Sequence, residues 1–278
     1  MNTSNQSYKE LAIPYFKEVF ETIDEIMIRY NIPYYLIGVS AIALELLRDG
    51  KKPDRGTKDI DFAIMISSIN EYDNLSESLI SKGFNKVKAP WTFYSDEYDA
   101  AIDILPFGEI EENDTIRFNE RYSDIHVLGF KEVLQDAKAI YIEEKIVQIP
   151  PLPGMIILKL VAWSDRPEER DNDLSDILRI IEHYFELEFD EITEKYYTTF
   201  PEDDSFDQLR IAAEVLGSKA KEYLNKSETL STRILSVVHE NLQEEEKSAI
   251  AREWARKKDW EIKYAYSILK AFQKGLVS

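Results

Sequence analysis

A change of hydrophobic pattern at three closely spaced prolines, Pro150, Pro151 and Pro153, divides the sequence into two parts. Before these prolines, short runs with strand character alternate with stretches in which apolar residues recur at helical spacing. After them nearly every stretch has helical spacing, from MIILKLVAW through DILRIIEHYF to the C-terminus. The sequence therefore predicts an α/β (α+β) fold class, with a mixed α/β part over residues 1–150 that includes an N-terminal helix, followed by an α-helical part over residues 151–278.

Short elements follow one another closely in the first part. Residues 8–30 show the spacing of one helical face, and this helix is expected to end at Asn31-Ile32-Pro33 because proline disfavours helical backbone at the preceding residue. A helix over residues 69–82 is expected to stop at Gly83. The other predicted elements are, in chain order, a strand YYLIGV that leads into the helix AIALELL, the strands DIDFAIMI, KAPWTFYS and AAIDILPF (the last closed by Pro106), a helix in GFKEVLQDA and the strand pieces AIYI and KIVQI.

Composition excludes several classes of protein. There are no cysteines among the 278 residues, which rules out disulfide frameworks, thiolate chemistry and zinc ribbons. The net charge of −19 repels polyanions, so extensive phosphate-backbone binding is disfavoured, although a local basic cleft stays open. The N-terminal segment has no basic stretch followed by an apolar one, and the longest apolar runs are too short to cross a bilayer. We therefore expect a cytoplasmic protein with no membrane partner.

Two aspartates, Asp59 and Asp61, stand at the start of the strand DIDFAIMI. Side chains at i and i+2 of a strand point to the same face, about 7 Å apart, so these carboxylates can close on one or two hard cations. The other interpretation is that both are solvated residues at a strand end. Asp103, the one charged residue of the strand AAIDILPF, is a third candidate, which either shares that metal or pairs with an unidentified cation.

A turn from strand to helix carries the next candidates, Gly38 and Ser40. Backbone N–H groups at a helix N-terminus bind phosphate, and glycine permits close approach. The alternative is that Ser40 is an ordinary N-cap.

The order of these motifs resembles the nucleotidyltransferase superfamily: Gly-x-Ser before a helix, then Asp-x-Asp on one strand, then a third Asp on a later strand. RGTKDIDFAI and IDILPFGEIEEN look especially like its abortive-infection, type IV toxin branch (AbiEii-like), as do LPGMIILKLVAWSDR and DNDLSDILRIIEHY. The resemblance covers about residues 33–184. It implies a mixed-sheet core in which Asp59, Asp61 and Asp103 hold Mg²⁺ (or Mn²⁺) and a nucleoside triphosphate such as ATP is the substrate.

The resemblance also implies roles for residues outside the three carboxylates. Lys159 matches the branch's triphosphate-contacting lysine and Asp176 the acid of its last motif, with Asp173 its neighbour. From spacing alone, Lys159, Trp163 and Arg166 lie on one helical face, and the alternative is that Lys159 merely extends out of a buried helix. Arg55, four residues before Asp59, is a further candidate for phosphate contact.

The sequence thus predicts a metal-dependent nucleotidyltransferase that moves a nucleoside monophosphate from the triphosphate to an acceptor and releases pyrophosphate. The acceptor is left open between RNA or tRNA, a protein and a small molecule. A type IV toxin-like enzyme would have an antitoxin as partner, whereas a resistance-type enzyme would modify a small hydroxylated or aminated molecule. A non-catalytic nucleotide- or partner-binding module is the remaining alternative, and residues 186–278 are the expected acceptor-binding or assembly region.

Overall fold

The computed structural model describes residues 7–53, 59–118, 123–203 and 205–278. The chain separates into two compact units, Met1–Pro151 (unit 1) and Leu152–Ser278 (unit 2). Unit 1 combines strands with helices, and unit 2 is helical over its described residues. The predicted fold class, a small mixed sheet followed by an α-helical part, is confirmed.

Unit 1 is built from short elements that alternate along the chain. In order they are α1 (Phe16–Tyr30), β1 (Tyr34–Ile37), α2 (Gly38–Leu47), β2 (Asp59–Met65), α3 (Ile69–Ser81), β3 (Phe84–Lys86), β4 (Thr92–Ser95), β5 (Ala100–Phe107), β6 (Thr115–Phe118), β7 (Ser123–His126), α4 (Phe130–Leu134), β8 (Lys138–Ile142) and β9 (Lys145–Ile149).

Five of these strands form one mixed sheet in the order β1-β2-β5-β4-β3. The central pair, β2 and β5, is parallel, and the other neighbours are antiparallel. The strands β6 and β7 form a separate two-stranded antiparallel sheet, and β8 and β9 form another.

The two faces of the central strands differ because side chains alternate along a strand. On one face of β2, Ile60, Phe62 and Ile64 are fully buried. The ring of Phe20 on α1 lies 6.3 Å from that of Phe62, so α1 covers this face. Alternation then places the odd-numbered residues of β2, including Asp59 and Asp61, on the opposite face, which is more accessible.

Three predictions about element boundaries need correction. Residues 8–30 do not form one helix: α1 begins at Phe16, because Pro14 lacks an N–H and disfavours helical backbone at Ile13. The strand predicted in YYLIGV ends at Ile37, and the helix starts directly at Gly38. Pro106 does not close its strand, since β4 pairs with β5 only up to Asp103 and leaves no ladder bond for the missing N–H.

Unit 2 consists of helices packed on one another. They are α5 (Leu152–Asp165), α6 (Asp171–Leu187), α7 (Phe189–Lys195), α8 (Gln208–Leu224), α9 (Glu228–Asn241), α10 (Ala249–Lys258) and α11 (Ile262–Val277). The backbones of α8 and α11 approach closely at two glycines: a Cβ on Gly217 would lie 2.2 Å from the carbonyl oxygen of Phe272, and one on Gly275 would lie 2.0 Å from that of Glu214. Within the described residues, every helix is too short or too polar to cross a membrane.

Candidate active site

The three predicted carboxylates lie on the same face of the mixed sheet. Asp61 on β2 is the register neighbour of Asp103 on the parallel strand β5. Register neighbours on adjacent strands are about 5 Å apart and point to the same face, so these two side chains lie side by side. Asp59 precedes Asp61 by two residues and shares this face, at the exposed start of β2. Pairing of β2 with β5 therefore brings together residues that are far apart in the chain.

Asp103 is held by a threonine that sequence reasoning missed. Thr92 on β4 is the register neighbour of Asp103, and its Oγ1 donates a 2.5 Å hydrogen bond to Oδ1 of Asp103. A threonine in a strand is ordinary, so only the pairing of β4 with β5 singles it out. Burial, together with the charge of Asp103, also raises the pKa of Tyr72 well above its ordinary value. Tyr72 therefore stays protonated, and its hydroxyl donates to the carbonyl of Ile104.

Gly38 lies directly against the carboxylate of Asp61. It is the first residue of α2 and has a left-handed backbone with φ 67°. A Cβ at this position would stand 2.0 Å from Oδ2 of Asp61, a distance that no side chain could tolerate. The N-terminus of α2 carries the partial positive charge of the helix, so this junction favours negative groups. The predicted change from strand to helix at Gly38 thus lies beside a predicted metal ligand.

Ser40 is fully buried in the first turn of α2. The N-cap of this helix is Ile37, so the interpretation of Ser40 as an N-cap is wrong. Within the described part of the chain, its hydroxyl has no hydrogen-bond partner. A buried hydroxyl without a partner costs about 1–3 kcal/mol, so this group is expected to gain from a polar ligand.

An ion pair with one buried partner anchors α2 within unit 1. Glu45 is fully buried on α2, and its Oε1 lies 2.6 Å from Nζ of Lys138 on β8. Arg48 adds a second contact to the same oxygen at 3.3 Å. Removing one partner of such a pair leaves a buried charge uncompensated, so these contacts fix the helix that begins at Gly38.

The donor chemistry of the three aspartates fits a hard cation. Carboxylate oxygens are the ligands that Mg²⁺ and Mn²⁺ take, and the Asp61–Asp103 pair supplies two on adjacent strands. The side chains are not gathered into a ready cage: across the described ranges, no group of three or more His, Cys, Asp or Glu is arranged to hold a metal ion. Arg55, the predicted phosphate contact from the preceding loop, lies outside the described residues.

Lys159 in unit 2 is neither exposed nor extended towards solvent. Its ammonium donates to Oδ1 of Asp173 at 2.6 Å and to Oδ2 of Asp176 at 2.8 Å. Burial opposes the charge, but the carboxylates of Asp176 and Asp173 outweigh it and raise the pKa of Lys159 above its ordinary value. These two bonds engage two of its three N–H groups. The structure therefore bonds Lys159, the lysine of LPGMIILKLVAWSDR, to Asp173 and Asp176, the two acids predicted in DNDLSDILRIIEHY.

The predicted face of Lys159, Trp163 and Arg166 does not form as one open surface. Trp163 is buried, and α5 ends at Asp165, one residue before Arg166. Arg166 instead lies 3.7 Å from Glu169 in an exposed ion pair.

Comparison with known proteins gives structural likenesses only. No family model matches the sequence, and no curated protein matches it. Among solved structures, this chain is similar to the lincosamide antibiotic adenylyltransferase LnuA with lincomycin bound (16% identity, 58% of this chain and 95% of that one, TM-score 0.38). It is also similar to an antigenic nucleotidyltransferase-like protein from Paracoccidioides brasiliensis (16% identity, 82% and 93%, TM-score 0.41). A third is the cyclic dinucleotide synthase CdnE of Elizabethkingia meningoseptica (9% identity, 96% and 92%, TM-score 0.32).

These structural neighbours are nucleotidyltransferase-fold proteins.

Proposed function

We propose that this chain is a metal-dependent nucleotidyltransferase that transfers a nucleoside monophosphate from a nucleoside triphosphate to an acceptor and releases pyrophosphate. The observation that carries the proposal is the junction at the centre of the sheet. There Asp61 lies beside Asp103 and also against Gly38, at the N-terminus of α2. Carboxylates that can bind a cation and a helix end that can bind phosphate thus meet at one point.

Each residue of the junction has a role in this proposal. Asp59, Asp61 and Asp103 would hold Mg²⁺ or Mn²⁺, which when bound neutralises the triphosphate and activates the nucleophile. The N–H groups from Gly38 onward and the buried hydroxyl of Ser40, which has no hydrogen-bond partner among the described residues, would bind the β- and γ-phosphates. Thr92 orients Asp103, which either completes the metal site or accepts the proton of the acceptor.

Two further contacts with the triphosphate are predicted from the sequence, Arg55 and Lys159. Arg55, four residues before Asp59 in the chain, remains a phosphate contact predicted from the sequence. Lys159, whose ammonium Asp173 and Asp176 hold in place, remains the triphosphate contact that the sequence motifs predict. The AbiEii-like branch and an antitoxin partner remain predictions from the sequence motifs.

The acceptor is best identified by a labelling experiment. The protein is incubated with Mg²⁺ and each α-labelled nucleoside triphosphate, in separate reactions with purified tRNA, a protein lysate and a small-molecule extract. We expect label in one acceptor class and release of pyrophosphate from γ-labelled substrate in the same reaction. Label that moves from the γ-position to the acceptor would indicate a phosphotransferase and would contradict the proposal.

Gly38→Ala is expected to reduce transfer about 100-fold, the effect of displacing a reacting group by about 1 Å. The new Cβ would stand 2.0 Å from Oδ2 of Asp61, so the carboxylate or the start of α2 must move. The left-handed backbone adds about 1–2 kcal/mol of strain, which a thermal melt would record.

Gly50→Ala is the matched control for this substitution. Gly50 has φ 69°, but a Cβ there would meet nothing within 4 Å, so it carries the same backbone strain without the clash. Equal activities of the two variants would mean that the position of Asp61 against Gly38 has no part in transfer.

A further inference from the structure

A cavity of about 650 Å³ lies in unit 1, away from the three aspartates. It is formed at the ends of β2 and β5, where Met65 and Phe107 are register neighbours, and by Tyr35 at the start of β1. Met65 stands four residues beyond Asp61 on the same face of β2, which corresponds to about 13 Å along the strand. The cavity volume falls within the range of small-molecule sites.

Aromatic rings give one side of the cavity a fixed shape. The rings of Tyr35 and Phe107 are 5.9 Å apart, and Phe107 meets Phe130 edge-on at the same distance. Tyr30, also on the lining, is held by a 2.7 Å hydrogen bond between its hydroxyl and that of Ser78. Because these contacts restrain the rings before any ligand arrives, little ordering would be needed for an apolar or aromatic body to bind.

The charges around the cavity are negative on balance. Glu71 and Glu109 line it, and in the part of the chain that the structure describes neither forms an ion pair. Glu71 accepts a 3.1 Å hydrogen bond from the backbone N–H of Ser67, which fixes the carboxylate without neutralising it. Among the described residues that line the cavity, Lys131 is the one cation, and it lies 3.1 Å from Glu111, so its charge is already compensated.

We propose that this cavity binds a small organic cation whose apolar or aromatic body packs on Tyr35 and Phe107 while its amine faces Glu71 and Glu109. Aromatic faces and carboxylates both attract a cation, and each adds to the packing of the apolar body. The same charges disfavour phosphates, so the nucleoside triphosphate of the proposed reaction is not the occupant. The inference stands independently of the proposed function, since it uses none of the residues of the Asp61 junction.

Three probes of similar shape and different charge test this proposal: tryptamine (cationic), tryptophol (neutral) and indole-3-acetate (anionic). Binding to the full chain is measured by isothermal titration and by ligand-observed NMR. We expect tryptamine to bind at least about tenfold more tightly than tryptophol, and indole-3-acetate to bind more weakly than both, because only the amine gains from the carboxylates.

The double variant Glu71→Gln and Glu109→Gln should reduce tryptamine affinity to that of tryptophol and leave tryptophol unchanged. Glu97→Gln, an exposed acid away from the cavity, serves as the control and should bind tryptamine like the wild type. A thermal melt of each ligand-free variant establishes that it folds. The proposal is overturned if the three probes bind alike, or if the folded double variant keeps the preference for the cation. Asp61→Asn should bind tryptamine with wild-type affinity. This variant therefore tests the cavity and the proposed nucleotidyltransferase site separately.

Discussion

Asp61→Asn is expected to lower nucleotidyl transfer at least about 1000-fold, which corresponds to roughly 4 kcal/mol of transition-state stabilisation. The amide nearly matches the carboxylate in volume but supplies no negative charge to a cation. Asp61 occupies the central position of the site, beside Asp103 on one side and Gly38 on the other. Its replacement should therefore remove activity while the half-buried sheet face keeps its packing.

Asp73→Asn on the exposed surface of α3 is the control, since it removes a carboxylate of the same size outside the site. Transfer is measured with α-labelled substrate at saturating Mg²⁺, and folding by circular dichroism. Retention of normal activity by folded Asp61→Asn would exclude Asp61 as a ligand of the catalytic metal.

Lys159→Met is expected to destabilise the protein by about 3–5 kcal/mol, the cost of removing one partner from a buried ion pair. The ammonium now bonded to Asp173 and Asp176 would be lost, and two carboxylates would face each other in a buried site. Chemical denaturation followed by the loss of helical signal measures the effect. Lys263→Met, at an exposed position of α11, should change stability by less than about 0.5 kcal/mol.

Adding Asp173→Asn and Asp176→Asn to Lys159→Met should recover part of the lost stability, because the two neighbouring carboxylates would no longer repel each other in a buried site. If Lys159→Met is as stable as the wild type, the ion pairs of Lys159 with Asp173 and Asp176 do not stabilise the fold. In that case a rise in KM for the nucleotide would assign the lysine to triphosphate contact alone.

The local features of the site were predictable because they depend on short-range periodicity. Alternation along a strand suffices to place Asp59 and Asp61 on one face, and the break in pattern at Gly38 marks the start of α2. The adjacency of Asp61 and Asp103 follows instead from the parallel register of two strands about forty residues apart, which no local pattern encodes. Thr92 was missed for the same reason, since its role exists only through the pairing of β4 with β5.

The boundaries and short elements were harder to predict. The strands β3, β6 and β7 contain three or four residues each, too few for an alternating pattern to emerge. The start of α1 depended on Pro14, whose effect outweighs the helical spacing of the residues before it. The bonds from Lys159 to both acids required the packing of α5 against α6, so spacing alone suggested a more exposed lysine.

Metal-dependent nucleotide binding tests the proposed site most directly, because it needs no knowledge of the acceptor. The affinity for α,β-methylene-ATP, which resists cleavage at the α-phosphate, is measured by isothermal titration with and without Mg²⁺, for the wild type and for Asp61→Asn. We predict that Mg²⁺ raises the affinity of the wild type for α,β-methylene-ATP at least about tenfold. The affinity of Asp61→Asn for the same nucleotide should not change when Mg²⁺ is added. Wild-type binding that is indifferent to Mg²⁺, or an Asp61→Asn variant with the full Mg²⁺ effect, would contradict the assignment of the sheet face around Asp61 as the catalytic site.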